Sequence, residues 1–332
     1  MHSEITNLIT QLFETLSLGM VTAPVTPISG GFMHRMYKVC TQNHTYAVKH
    51  LNSEIMKRSA AMENYKKAER LEAILEDAGI LIVPALSFNE KKMQEFQENY
   101  FYIFDWHEGN ITDWNNITAE QCRKAGNIQG RIHAIETGLN EPTELTAPEL
   151  STIDWNEYLA KSAECKEVES LLKENLPLLD YAQTELNKAR VALPNITTII
   201  DEDMDPKNVM WKNDEPVVID LEYLDYGNPI SSAIQLSLQW SGITLCDFDA
   251  EKQKAFFDGY FEAYDNGFKD YKSVFGLTYT WIEWLEYNIQ RALGASQDKA
   301  EQEMGLSEVK NTISRIKYIH HMEDKIKSNL QF

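Results

Sequence analysis

The sequence predicts an α+β chain in two parts, a strand-rich first part with one long helix and a larger, mainly helical remainder. Three observations predict it. Before about residue 106, short apolar runs bounded by Gly, Pro, Asn or Asp surround a single long helical stretch. Beyond it, apolar residues recur at spacings of three and four almost to the end. The exception is 196–229, where two short apolar runs each end in carboxylates. With 332 residues, 43% hydrophobic and 11% aromatic, the chain is ample for a two-lobed core.

Taken in order, 3–18 places Ile5, Leu8, Ile9, Leu12, Phe13 and Leu16 at helical spacing, with Ser3 available as N-cap. Residues 25–38 read as two β-type stretches around Ser29-Gly30-Gly31. A glycine turn there can bring backbone N–H groups near phosphates. Alone it reads as an ordinary hairpin, and it is neither G-x-G-x-x-G nor a P-loop. His34 and Arg35 read as exposed strand residues. The run 45–51, TYAVKHL, is a strand carrying Lys49. Residues 54–78 form a long helix stopped by Gly79, with Glu63, Glu69 and Glu72 along it. Residues 80–86 and 100–106 read as strands, the second leading into His107-Glu108-Gly109.

The helical part begins with 118–137, where Cys122, Ala125, Ile128, Ile132 and Ile135 share a face. His133 lies among them and reads as a core or helix-surface histidine. Residues 154–174 and 178–191 read as two further helices. After 229 the pattern predicts helices over 231–241, 249–266, 275–293 and 307–330. Trp281, Trp284 and Tyr287, spaced by three, read first as core. The sharper alternative is a wall of an acceptor pocket, where rings and the nearby Glu283 and Glu286 hold a cation.

Lys and Arg number 31 against 51 Asp and Glu, a net charge of −20. That balance argues against nucleic acid and anionic membranes as partners, and suits a cationic small molecule or simple solubility. The first ten residues lack a signal-peptide pattern, and no apolar run is long enough to span a membrane. Four scattered cysteines give neither metal-ligand spacing nor a disulfide framework. A cytoplasmic protein with reduced thiols is the expectation, with the oligomeric state open.

The chemistry concentrates in 196–229. Asp201, Glu202, Asp203 and Asp205 follow the first apolar run, and Asp220 and Glu222 end the second. Two adjacent strands would set these carboxylates at one end of a small sheet. Asp203, Asn208 and Asp220 are hard oxygen donors of the kind Mg²⁺ prefers. Singly, each also reads as a turn or cap residue. Their spacing, Asp, then Asn five residues on, then Asp twelve further, matches the catalytic and metal loops of kinases. There the first Asp accepts the substrate hydroxyl proton, and the Asn and second Asp hold the metal.

The words DMDPKNVMW and VVIDLEY resemble the phosphotransferase family of aminoglycoside and choline kinases. The resemblance implies a bilobal protein-kinase-like fold, with an antiparallel N-lobe sheet and one long helix, then a larger helical C-lobe. It sets a nucleotide-binding lobe at 1–104 and a catalytic and acceptor-binding lobe at 105–332. It implies ATP and Mg²⁺ as cofactors, with Ser29, Gly30 and Gly31 near the phosphates and Lys49 on the α and β phosphates. An acid on the long helix then aims the lysine, and Glu69 is the choice, on the face of Tyr65. Backbone of Phe104 to Trp106 would meet adenine. Asp203 becomes the base, and Asn208 and Asp220 the metal ligands. Glu222 is a candidate for binding an acceptor amine or supporting the metal site, and Trp281 and Trp284 for the acceptor wall.

Two departures stand out. Asp201 occupies the position of the usual His, and Lys207 lies two residues beyond the place where protein kinases carry a lysine. The second favours a small-molecule kinase. The expected function is ATP-dependent transfer of the γ-phosphate to a hydroxyl of a small acceptor such as an aminoglycoside, amino alcohol or sugar. The alternative, supported by Asp201, is a pseudokinase-type nucleotide-binding module acting through partners.

Overall fold

The structure, a computed structural model, describes residues 2–28, 34–136, 149–295 and 298–331. The chain divides into two compact units, Met1–Thr112 with Asp203–Asp225, and Asp113–Glu202 with Tyr226–Phe332. The sequence expectation drew a single cut near Asp105. The strand Asn110–Ile111 pairs antiparallel with Met210 and Trp211, and the Val83 amide donates to the Val218 carbonyl. These bonds tie 203–225 to the sheet unit.

That unit holds a five-stranded sheet: β1 (Thr26–Ile28), β2 (Arg35–Cys40), β3 (Thr45–His50), β4 (Gln94–Phe96) and β5 (Asn99–Asp105). Their order is β1-β2-β3-β5-β4, antiparallel throughout. Side chains alternate faces along a strand. Tyr46 and Val48 of β3 and Phe101 and Ile103 of β5 pack against Ile9, Leu12 and Phe13 of helix α1 (His2–Thr15). The other face carries Lys49 opposite Tyr102, and there Tyr102 packs with Ala61 and Tyr65 of helix α2 (Ala61–Asp77).

Helix α2 begins later than expected, after a separate turn of helix at Ser53–Met56. Its buried stripe, Ala61, Tyr65, Ala68, Leu71 and Leu75, starts only at Ala61, and the earlier turn buries nothing that would hold it in line. Gly79 at φ 70° ends α2, and the Ile80 amide closes back on the Leu75 carbonyl. The strand expected over 80–86 is absent. One bridge joins Ile82 to Val218, and Pro84 has no N–H to extend it. An unforeseen edge strand, β4, arises from a turn at Gln97-Glu98, both at positive φ. Nor do the two apolar runs flanking the acidic loop pair with each other. Glu215–Val218 pairs with Val209–Lys212 through the Asn213-Asp214 turn, and Thr198–Asp201 belongs to the other unit.

The second unit is mainly helical. Its longer helices are α3 (Ala119–His133), α4 (Lys166–Ala192), α5 (Pro229–Trp240), α6 (Ala250–Ala263), α7 (Trp281–Ala292) and α8 (Lys299–His321). They enclose a core that includes Leu172, Leu179, Leu186, Phe257, Tyr260, Leu285 and Ile316. Thr118 opens α3 with a capping box to Gln121. Helices α3 and α6 touch backbone to backbone: a Cβ on Gly126 would lie 1.9 Å from the Phe256 carbonyl oxygen. The two helices expected at 154–174 and 178–191 are divided differently. A short helix, Trp155–Lys161, ends before Cys165, and α4 then runs unbroken through Pro177. Among the described residues no helix is long and apolar enough to cross a membrane.

Candidate active site

The sheet unit brings Lys49, Asp203, Asn208, Asp220 and Glu222 into one region. The local sequence builds the acidic loop. Asp205 accepts the Lys207 amide at 2.9 Å, and Pro206 at the first position of a 3-10 turn, Pro206–Asn208, presets its backbone. The turn directs Asn208 back at Asp203. The Asn208 amide nitrogen donates to the Asp203 carbonyl and to its Oδ2, both at 2.8 Å. With the nitrogen committed, the amide oxygen is the group presented outward. The Ile219 amide donates to the Asn208 carbonyl at 2.9 Å, which sets Asp220 beside it in space.

Asp220 adopts φ 62°, ψ 59°. A left-handed non-glycine backbone costs about 1–2 kcal/mol and persists where surroundings over-determine it, often at functional sites. Asp203 is also ion-paired to Lys207 at 2.7 Å, and Lys207 reaches Asp205 at 2.8 Å. Burial pushes the Asp203 carboxyl up to about 6. Lys207 opposes that shift, and Asp205 adds to it.

Lys49 is held by two carboxylates. Its Nζ lies 2.5 Å from Asp220 Oδ1 and 2.6 Å from Glu222 Oε2. Burial works against the ammonium, but the two carboxylates outweigh it and hold the amine well above its ordinary range. Glu222 is in turn 3.1 Å from His34 Nε2. Burial alone would raise the Glu222 carboxyl; Lys49 and His34 hold it well below the usual carboxylate range.

Several sequence expectations need correction. Glu69 does not aim Lys49. Tyr102 stands opposite Lys49 in the sheet, and its hydroxyl donates to Glu69 Oε1 at 2.8 Å, as does the Met93 backbone N–H at 3.1 Å. His34 is not an exposed strand residue but is buried beside Glu222. No pattern in the sequence announces that pairing, because its partners lie far along the chain. Glu222 has both oxygens engaged inside the protein, which leaves it poorly placed for an acceptor amine. A cavity of about 220 Å³ opens beside it, bounded by His34, Arg58, Tyr65 and Asp225, but Asp203 is not in its wall.

The remaining expected residues fall as follows. Ser29, Gly30 and Gly31 lie outside the described residues. Phe104 is paired with Ala47 in the sheet, and the Trp106 amide donates to the Thr45 carbonyl at 3.0 Å. In the helical unit, Trp281 lies against the Arg315 guanidinium, and Trp284 stacks on Tyr287 and donates to Glu308. Asp201 is buried at the end of Thr198–Asp201. His133 is a core residue, bonded to the Tyr260 hydroxyl at 2.9 Å.

An antiparallel sheet with a buried lysine, a long helix on its face and an Asp-Asn-Asp loop defines a protein-kinase-like phosphotransferase fold. Residues 24–275 match the phosphotransferase enzyme family. The chain belongs to that family. No curated protein matches it. Among solved structures it resembles a spectinomycin phosphotransferase in complex with ADP and spectinomycin, at 15% identity and TM-score 0.66, covering 92% of this chain and 96% of that one. It also resembles an amicoumacin kinase in complex with AMP-PNP and Ca²⁺, at 13% identity and TM-score 0.61, covering 95% and 96%. A choline kinase from Cryptosporidium parvum follows at 11% identity and TM-score 0.53, covering 91% and 90%. At these identities the likeness is one of fold.

Proposed function

We propose that the protein transfers the γ-phosphate of ATP to a hydroxyl group of a small, cationic acceptor, with Asp203 receiving the hydroxyl proton. The observation that carries this reading is the convergence of Lys49, Asp203, Asn208 and Asp220 within one compact unit. In this reading the Lys49 ammonium would pair with the α and β phosphates. Phe104 is committed to Ala47 and the Trp106 amide to Thr45, so of the Phe104 to Trp106 backbone it is Asp105, turned away from β3, and the Trp106 carbonyl that would meet adenine.

The donor chemistry fits Mg²⁺. One amide oxygen from Asn208 and one carboxylate from Asp220 are the protein ligands that such an ion takes, with phosphate oxygens and water completing its shell. When bound, Mg²⁺ offsets charge on the transferring group. Asn208 has a second task, since its amide nitrogen fixes the Asp203 carboxylate. Asp203, engaged by Lys207 and Asn208 but 30% exposed, keeps lone pairs with which it orients the acceptor hydroxyl and accepts its proton. A carboxyl raised to about 6 is a better base than an ordinary Asp and is still mostly ionised at pH 7. Such assistance is typically worth about 10²–10⁴-fold, so positioning and electrostatics supply the rest.

The net charge of −20 supports a cationic acceptor. The similar structures with spectinomycin and amicoumacin support a hydroxylated small molecule. In this reading 1–104 serves the nucleotide and the chain after 105 serves catalysis and the acceptor. The test offers ATP, Mg²⁺ and a panel of amino alcohols, aminoglycosides and sugars to purified protein. Acceptor-dependent ADP release that slows by about 10²–10⁴-fold in Asp203→Asn supports the proposal. Nucleotide binding without turnover on any acceptor would mark a pseudokinase-type module instead, with Asp201 its sequence signature.

A further inference from the structure

We infer that Glu222, backed by His34, is the positioning residue for Lys49, in place of an acid on α2. This inference deepens the proposed reading and rests on it for the role of Lys49. The two carboxylates on Lys49 are unequal. The Lys49 and Glu222 side chains are 7% and 11% exposed, whereas Asp220 is 33% exposed. Asp220 can turn away from the lysine toward solvent or another cation. Glu222 cannot do so without leaving a buried charge bare, which is strongly unfavourable.

Glu222 is itself fixed from the far side. Its Oε2 takes Lys49, and its Oε1 faces His34 Nε2 at 3.1 Å. The tautomer follows from the other ring nitrogen. The Asn52 backbone N–H donates to His34 Nδ1 at 3.0 Å, so the ring proton resides on Nε2 and points at Glu222. The Tyr65 hydroxyl lies 3.1 Å from the same nitrogen and steadies the ring. Of the three α2 acids the sequence offered, Glu63 is exposed and the other two are engaged elsewhere. Glu69 serves Tyr102 and Met93, and Glu72 serves Lys92 and the Ala85 amide. The chain Asn52–His34–Glu222–Lys49 thus aims the lysine and holds its charge while Asp220 is free to exchange partners.

The test needs no turnover. Nucleotide-free protein is pulsed with an amine-acetylating reagent at pH 8, and modification of Lys49 is read by peptide mass spectrometry. In Glu222→Gln the Lys49 rate is expected to rise severalfold, because the amine loses the buried carboxylate that holds and covers it. Glu69→Gln is expected to match the unaltered protein. His34→Phe, which leaves Glu222 in place, is expected to raise the rate, and His34→Gln, which keeps a donor, to restore it. If Glu222→Gln fails to fold, the His34 pair decides alone. Unchanged Lys49 labelling in Glu222→Gln and His34→Phe, or acceleration in Glu69→Gln, overturns the inference. A protein that releases no ADP with any acceptor overturns the kinase reading and leaves this labelling result standing.

Discussion

Replacing Asp203 with Asn is expected to slow phosphate transfer by about 10²–10⁴-fold and at the same time to stabilise the protein at neutral pH. The reason is the carboxyl raised to about 6 against an ordinary 3.8. In the folded state Asp203 binds its proton more tightly than in the unfolded chain. Between pH 4 and 6 the native state therefore holds more protons, and stability falls as pH rises through that window. Above pH 6 the ionised carboxylate is a liability that Asn, a mimic of the protonated form, removes. The full shift of about two pKa units would correspond to about 3 kcal/mol. With the side chain 30% exposed, solvent screening reduces this to about 1 kcal/mol. Urea unfolding at pH 8 and pH 4 measures it. Asp203→Asn is expected to be more stable than the unaltered protein by about 1 kcal/mol at pH 8, and no more stable at pH 4. Equal stability at both values, or loss at pH 8, would show that Asp203 is an ordinary paired carboxylate and not one held raised for use as a base.

Two further expectations concern the helical unit. Burial depresses His133 to about 3, so the unfolded chain binds the extra proton below pH 6.5 and stability is lost as pH falls. That contribution reaches about 2 kcal/mol at pH 5; in His133→Gln the loss between pH 7 and 5, read by urea unfolding, should shrink by about that amount. Gly126→Ala forces a methyl to within 1.9 Å of a backbone oxygen, where no side chain can yield. It should cost about 1–3 kcal/mol or more in unfolding free energy, whereas Gly267→Ala, with open space but φ 77°, should cost only the backbone strain of about 1–2 kcal/mol.

What could be read from the sequence was what local rules determine. Period-two alternation placed Lys49 on the face of β3 opposite α1, and the Asp-Pro-Lys-Asn turn explains why Asp203 and Asn208 meet. What escaped was set by partners distant in the chain. Glu222 and Lys49 are 173 residues apart, and no spacing rule links them. Glu69 had the right helix and a plausible face, but Tyr102 intercepts its carboxylate beside the lysine. His34 looked like any polar strand residue until Glu222 and Tyr65 closed around it. Edge strand β4 hides behind a Gln-Glu turn that lacks the usual Gly or Asn signal. Pro177 signalled a helix break that α4 does not make.

Asp203 and Asp220 meet in one place but carry different tasks, and a divalent-ion titration separates them. Mn²⁺, substituted for Mg²⁺, is titrated by electron paramagnetic resonance in the presence of a non-hydrolysable ATP analogue. Asp220→Asn should weaken Mn²⁺ binding by at least about 10–100-fold, the cost of losing even an outer-shell partner, while Asp203→Asn should retain it within about threefold yet transfer phosphate about 10²–10⁴-fold more slowly. Equal Mn²⁺ affinity in Asp220→Asn and the unaltered protein, or transfer at an undiminished rate in Asp203→Asn, would contradict the account.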